Sequence, residues 1–301
     1  CGFIKCDLTV DNTKLIPVLP QHKTGHLEFN ALDKKEATYY TEELRYAIST
    51  GDIIDIPEIH SAIGYTEQCH GLFKAYVCKF LRIKSISNGA KTQEECDEFN
   101  LSCLRDGLPI APIRPEECTK NPGLKALAKL FLNSLWGKFG QRDNMKKSKI
   151  CSSIEELNQI IFSPSTTKSW LNAYSDDDGG APWVEVSFDT ITAPTESPSD
   201  FTNAAVAAAT TSNARIRLHK MLLFLHPSQV CYCDTDSVIF EYDTLNPDHK
   251  SPDCEEARAQ GIFMGDGLGQ WESEVPQGAT ILKFCSLGPK TYAYKLMDSD
   301  G

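Results

Sequence analysis

Tyr232-Cys233-Asp234-Thr235-Asp236-Ser237 sits between two apolar runs, Val230-Cys231 before it and Val238-Ile239-Phe240 after it. A short polar turn between β-prone runs predicts a hairpin, and this one carries two carboxylates at its tip. Such a pair can hold divalent ions against a triphosphate, because hard cations take oxygen ligands and two ions can clamp an in-line displacement. An Asp-x-Asp in a turn can also do no more than cap the turn. The hairpin alone leaves both readings open.

A second pattern lies upstream: Lys129-Leu-Phe-Leu-Asn133-Ser134-Leu-Trp136-Gly137. Asn121-Pro122-Gly123 predicts a helix start with Pro in the first turn, and the helix is expected to run to about Phe139. Along it Lys125, Lys129, Asn133, Trp136 and Gly137 are spaced by four, four, three and one. Residues three and four apart share a helix face. One stripe therefore offers ammonium groups for phosphates, an amide, a ring for base or sugar, and a glycine for close approach. Leu127, Leu130, Phe131, Leu132 and Leu135 are expected on the opposite, buried face. An amphipathic surface helix with Trp136 in the core explains the same spacing without chemistry. Taken together, the two patterns read as a nucleotide polymerase.

The scaffold for these residues is an ordinary globular chain of 301 residues, 41% hydrophobic and 24% charged, long enough for one large or two modest domains. No apolar run approaches the roughly 20 residues that span a bilayer, so no membrane partner is expected. The opening Cys1-Gly2-Phe3-Ile4 has no Met and no signal-peptide pattern; it reads as a cut through a longer protein, as does Asp298–Gly301. The twelve cysteines include no C-x-x-C and no finger-spaced His/Cys pair, which reads as reduced intracellular thiols without a zinc site. Cys231 and Cys233 are expected as small wall residues on their strand.

The net charge of −11 is unusual for a protein that binds phosphates, but the charge is unevenly spread. Between Lys120 and Lys149 there are eight basic residues against one acid, Asp143, whereas between Ser169 and Asp200 there are seven acids and no Lys or Arg. Local field governs what a surface binds, and net charge mainly reports solubility.

Residues 1–60 alternate short strand-like runs with an amphipathic Thr41–Ile48. From Gly71 to Lys84 apolar positions recur at helical spacing, and Lys74, Lys79, Arg82 and Lys84 leave one basic side. A helix over Gln93–Leu104 and a connector with Pro109, Pro112 and Pro115 follow. Residues 145–200 hold acidic and proline clusters, including Ser175–Gly180, with strand-like pieces such as Trp183–Phe188. A helix is predicted from near Phe201 until Pro227 stops it. After the hairpin come a glycine-rich turn (Gly261, Gly265, Gly267, Gly269) and a strand ladder from Ile281 to Tyr294.

Lys-x-x-x-Asn-Ser-x-Trp-Gly followed by Tyr-x-Asp-Thr-Asp-Ser resembles motifs B and C of the family B DNA polymerases. The wider text Leu124–Arg142 is most similar to the protein-primed branch, that of bacteriophages, Polinton/Maverick transposons and related viruses. Phe73–Gly89, with Lys84, resembles the first fingers helix. Thr211-Ser-Asn-Ala214-Arg215 resembles a template-contacting Thr-x-x-Ala-Arg, and Lys290-Thr291-Tyr292 a Lys-x-Tyr that holds the primer terminus. The order and spacing agree over about residues 70–295.

The resemblance implies a role for each matched position. Asp236 is the direct metal ligand and Asp234 a second acidic group, outer-shell or water-bridged. Lys129 contacts the triphosphate and neutralises the leaving pyrophosphate. Lys84 and Lys125 assist on the nucleotide, and Asn133 and Trp136, with Gly137, line the nascent pair. Thr211, Arg215, Lys290 and Tyr292 contact DNA. The implied cofactors are two Mg²⁺ ions, with Mn²⁺ as a substitute. The implied partners are primer-template DNA, deoxynucleoside triphosphates and a terminal priming protein, in the nucleus or at a viral replication site.

The implied fold is α+β, with an antiparallel palm sheet backed by helices and helical fingers. Its parts would be partial palm and a terminal-protein-region-1-like stretch (1–69), fingers with the motif B helix (70–144), a terminal-protein-region-2-like insertion (145–200), palm with motif C (201–280) and the start of the thumb (281–301). Two departures stand out. Trp136 replaces the usual Tyr of motif B, a feature associated with the Polinton-like branch. Motif A, Asp-x-x-Ser-Leu-Tyr-Pro, is missing; Asp7 and Asp11 in Cys6-Asp7-Leu-Thr-Val-Asp11 do not match it, and it is expected upstream of Cys1. The 301 residues alone are therefore expected to be inactive. A domesticated or decayed transposon remnant that binds DNA or nucleotide without synthesis is the alternative. A reverse transcriptase would carry adjacent aspartates, which Thr235 separates here.

Overall fold

Along the chain run β1 (Gly2–Val10), β2 (Gln21–Lys23), β3 (His26–Glu28), β4 (Lys34–Tyr40), α1 (Thr41–Ser49), β5 (Ile53–Gly64), α2 (Lys74–Ile86), α3 (Gln93–Arg105) and α4 (Pro122–Phe139). Then come β6 (Lys147–Cys151), α5 (Ile154–Ile161), β7 (Thr166–Tyr174), β8 (Trp183–Thr190), α6 (Ala204–Phe224), β9 (Val230–Asp234), β10 (Ser237–Phe240), α7 (Glu255–Ala259), β11 (Thr280–Gly288) and β12 (Thr291–Met297). This computed structural model describes residues 1–23, 26–67, 69–141, 146–174, 183–190, 202–265, 267–276 and 278–297. The acidic cluster Ser175–Gly180, Arg142, Asp143 and the prolines at 194 and 198 lie outside the described residues. The class is α+β, with small antiparallel sheets and, among the described residues, seven α-helices.

The described residues form two compact units, 1–132 with 208–301, and 133–207. In the first, β1 is the centre of an antiparallel sheet ordered β4-β1-β5. Strand alternation sends Cys6, Leu8 and Val10 to one face, where they meet Val18, Leu19, Tyr39 and Ile53. Leu44 and Ala47 of α1 close that core. A second core gathers Met221, Phe224 and Leu225 at the end of α6 with Ala257 and Ile262. Val230, Val238 and Phe240 of the β9–β10 hairpin pack onto it.

α6 connects these two cores through polar contacts. Glu43 of α1, 1% exposed, accepts from Arg215 Nε (2.5 Å) and Nη2 (2.9 Å), and from Ser212 Oγ (2.7 Å). One turn on, buried His219 contacts the Tyr46 hydroxyl at 3.1 Å and the Ile16 carbonyl at 2.8 Å. The carboxylate of Asp52 lies 3.9 Å from the same ring. Nearly every polar group here is partnered, as burial requires; Asp52 Oδ1 is the buried exception among the described residues. The carboxyl-terminal half of α6 thus carries the hairpin on a helix tied to the β4-β1-β5 platform.

Helix starts follow the capping logic of the sequence. Asn121 Oδ1 accepts from Leu124 N (3.0 Å) ahead of Pro122, and Thr92 and Glu95 form a reciprocal capping box on α3. The buried leucine face expected for α4 needs correction. Leu127 and Leu130 are 52% and 60% exposed, Phe131 is also exposed, and only Ala128 is buried. The reason is the thinness of the contact with α2, which runs through the Phe80–Phe131 ring stack (4.6 Å) and the Tyr76 hydroxyl on the Phe131 carbonyl (3.0 Å). A leucine stripe is buried only where a second element covers it. Likewise β9 and β10 form a two-stranded sheet of their own, and no single palm-wide sheet joins them to β4-β1-β5 among the described residues. Cys231 and Cys233, expected as wall residues, are exposed.

In the second unit, β8 is the middle strand of an antiparallel sheet ordered β6-β8-β7, with α5 against β6 and β7. Val186 and Cys151 are its buried residues.

Candidate active site

The β9–β10 turn is as short as a hairpin allows. Ser237 pairs with Asp234, leaving Thr235 and Asp236 as the loop. Thr235 has φ of 50°, and the Asp236 N–H donates to the Asp234 carbonyl two residues back. That is a γ-type turn of the strained hand. A β-branched residue at positive φ is a genuine outlier, and backbone strain of this kind persists only where the surroundings hold it. Packing of Val230, Val238 and Phe240 on the α6 core does the holding.

Tyr232 and Asp234 alternate onto one face of β9, and that face meets the β11–β12 hairpin. The Tyr232 ring lies 5.0 Å from Tyr292 and 6.1 Å from Phe284. At the tip, Gly288 pairs with Thr291 across Pro289-Lys290. Lys290 has φ of 57° where glycine is the usual occupant. Its backbone N–H donates to the Tyr232 hydroxyl (2.8 Å) and its ammonium sits 2.7 Å from Asp234 Oδ2. With the Thr235 hydroxyl on Oδ1 (2.9 Å), both oxygens of Asp234 are engaged. Lys290 foremost, then Thr235, holds the Asp234 carboxyl below its ordinary range, and Asp234 in turn raises Lys290.

Asp236 differs from its neighbour. It is exposed at the tip, and among the described residues no hydrogen bond or ion pair engages its carboxylate. Asp236 is an uncommitted carboxylate that could ligate a hard cation, whereas Asp234 already holds the Lys290 ammonium.

A third acidic position falls elsewhere. Asp7, buried on β1, forms a compact group with Glu58 and His60. Its carboxylate accepts from the Glu36 backbone N–H, Lys35 and His60, each at 2.8 Å. These, in that order, hold it far below the carboxylate range. Asp7 is thus committed to the sheet. Asp11 accepts from the backbone and hydroxyl of Thr13, a turn-closing role.

The structure brings Asp234, Lys290, Tyr232 and Tyr292 together. It does not bring Lys84, Lys125 or Lys129 within hydrogen-bonding distance of either motif carboxylate among the described residues. Lys125 donates to Asn88 Oδ1, joining α4 to the end of α2. Lys129 is exposed on α4, as are Asn133 and Trp136. Open space surrounds the position a Cβ would take at Gly137. On α6 the Thr211 hydroxyl bonds back to the Ala208 carbonyl (2.9 Å). The Arg215 guanidinium is turned onto Glu43 through Nε and Nη2, and Nη2 also reaches Ser212 Oγ, so among the described residues Nη1 is the nitrogen without a hydrogen bond. Glu43 was not readable as part of this set, because its partner lies 172 residues away and no motif marks it.

The family described as DNA polymerase type B, organellar and viral, matches residues 113–218. That span holds α4 with Lys129 through Gly137, and Thr211 with Arg215 on α6, and it ends before the β9–β10 hairpin. No curated protein and no solved structure gives a significant match. Over residues 113–218 the chain is thus similar to type B DNA polymerases of organelles and viruses.

Proposed function

We propose that this chain carries the nucleotidyl-transfer chemistry of a DNA-directed DNA polymerase of the protein-primed branch of family B. The observation that carries the reading is the asymmetric carboxylate pair: a strained turn presenting Asp236 uncommitted beside Asp234, which already holds a lysine cation. Divalent ions, when bound, would supply Lewis-acid activation of the primer 3′-hydroxyl and charge neutralisation at the departing pyrophosphate. Asp236 offers the open ligand. Asp234, with both oxygens engaged, sets the local field and fixes Lys290. Tyr232, Tyr292 and Lys290 form one packed corner against which a primer terminus would be held. Lys129, exposed and unpaired among the described residues, is free to meet a triphosphate, with Lys125 and Lys84 as supporting cations. Arg215, anchored by Glu43, keeps Nη1 for a template phosphate. Catalysis of this kind is mostly positioning plus charge stabilisation.

Metal and nucleotide binding tests the reading directly. Paramagnetic titration with Mn²⁺ in the presence of a deoxynucleoside triphosphate should show binding by the wild-type chain. Asp236→Asn should weaken it at least about tenfold, the scale of one lost charged ligand. Equal Mn²⁺ binding by wild type and the Asp234→Asn/Asp236→Asn variant would remove the assignment. Retained Mn²⁺ and nucleotide binding with no synthesis by any protein that carries this chain would favour the non-synthetic remnant.

A further inference from the structure

One carboxylate of the β9–β10 turn is occupied by the protein's own cation. Lys290 Nζ lies 2.7 Å from Asp234 Oδ2, and the Thr235 hydroxyl lies 2.9 Å from Oδ1. Asp236 adds a weaker electrostatic pull on the same ammonium. Lys290 therefore sets a single positive charge where a hard divalent ion would need carboxylate oxygen.

The two attachments of Lys290 are separable. Its backbone N–H donates to the Tyr232 hydroxyl at 2.8 Å, and the Tyr232–Tyr292 ring contact at 5.0 Å packs the β11–β12 hairpin against β9. These contacts hold the positive-φ corner (57°) without any help from the ammonium. The Lys290 side chain is 74% exposed, against 27% for Asp234. Water competes for both ends of such a pair, so the pair is weak. A lysine stem is long and flexible, and it can swing its charge into solvent while the two hairpins stay docked.

We infer that Lys290 is an internal counter-ion that competes with a divalent cation for Asp234. With the ammonium in place the turn offers one open carboxylate, Asp236; with the ammonium withdrawn it offers two. The exchange rests on the metal-binding role proposed above for Asp236. No covalent bond changes, because one ion pair is traded for another. The ammonium cancels part of the negative charge of the turn, so an arriving cation meets a weakened field until the lysine leaves. Any second anion that draws Lys290 away would raise metal affinity. By linkage, a cation on Asp234 would raise the affinity of Lys290 for that anion by the same factor.

Mn²⁺ binding followed by electron paramagnetic resonance, on the whole chain without nucleotide at about 0.1 M salt, tests this. Lys290→Met should bind Mn²⁺ about three- to tenfold more tightly than wild type, the scale of removing a competing charge from an exposed pair. Lys290→Arg keeps a cation and should bind no more tightly than wild type. Lys295→Met controls for net charge. That lysine lies farther along β12, about 16 Å from position 290 at about 3.3 Å per residue and beyond the screening length of about 10 Å. It should leave affinity within about twofold of wild type. In an Asp234→Asn background, Lys290→Met should give no gain, since the contested charge is gone. Circular dichroism verifies that each variant is folded. A Lys290→Met affinity equal to wild type, an Arg or Lys295→Met variant as tight as Lys290→Met, or a gain that survives Asp234→Asn would each overturn the counter-ion role. Asp236→Asn separates the two proposals. If it weakens Mn²⁺ binding while Lys290→Met changes nothing, the counter-ion role alone fails; if it weakens binding by neither wild type nor Lys290→Met, the proposed metal site fails with it.

Discussion

Glu43→Gln is the substitution whose effect the structure defines best. Glu43 is 1% exposed and accepts three hydrogen bonds, two from Arg215 and one from Ser212. Glutamine keeps one acceptor oxygen but turns an NH₂ toward the Arg215 donors, leaving a guanidinium uncompensated in a largely dry site. Removing one partner of a buried pair costs about 3–5 kcal/mol. Arg215 is 22% exposed and can partly rehydrate, so about 2–3 kcal/mol is expected. With a urea dependence of about 2–3 kcal/mol/M, the midpoint should fall by about 1 M. The same helix provides a control, because Glu42 pairs with Arg45 on the surface and Glu42→Gln should cost at most about 1 kcal/mol. Glu43→Leu/Arg215→Met removes both charges and should recover most of the loss. Urea unfolding followed by circular dichroism and by fluorescence, required to coincide, supplies the midpoints. If Glu43→Gln unfolds where Glu42→Gln does, the network does not hold α6 to α1 and this account of the platform fails.

In an active polymerase carrying this chain, Asp236→Asn should lower single-turnover incorporation by about two to four orders of magnitude, and Lys129→Ala should chiefly weaken nucleotide use; near-normal kinetics in either contradicts its role. The 301-residue chain with Mg²⁺ should not extend a primer, since Asp234 and Asp236 alone are a poor clamp for two cations; templated extension lost in Asp236→Ala would refute this. Deleting residues 145–200 from an active polymerase carrying this chain should spare short gap filling and impair synthesis through a duplex block, and undiminished displacement synthesis would exclude a strand-separating role for the segment. The folded pKa of Asp7 is depressed, so its stabilisation is full above the unfolded value of about 3.9 and is lost as pH falls through the folded one; melting curves should show the gap between wild type and Asp7→Asn narrowing below about pH 4, and a constant gap would be inconsistent with it.

Much of this was legible because local chemistry writes itself into local sequence. Asn121-Pro122 marks the start of α4, Pro227 follows the end of α6, and polar residues between β-prone runs mark the β9–β10 hairpin. Lys290 and Tyr292 were readable as a motif, but the ammonium's place on Asp234 was not, since it depends on how two hairpins dock. The same limit hid Glu43 behind Arg215, and Glu58 and His60 behind Asp7. Periodicity shows which residues of α4 are apolar. It does not show whether anything covers them, and Leu127 and Leu130 remain exposed.

The single residue between the two motif carboxylates explains why they differ. Strand alternation would put residues 234 and 236 on the same face, side by side and equally repelled. The turn breaks that equivalence. Asp234 is the last residue of β9 and keeps strand geometry, so it shares a face with Tyr232 and meets Lys290. Thr235, at positive φ, swings the chain round so that Asp236 leaves the strand at the tip. Its hydroxyl returns to Asp234, adding a donor to the carboxylate that is already engaged. Two groups of one chemical type thereby acquire unlike environments, the usual way a fold gives like residues separate tasks. A cation-holding carboxylate beside an open one lowers the repulsion that a bare pair would carry.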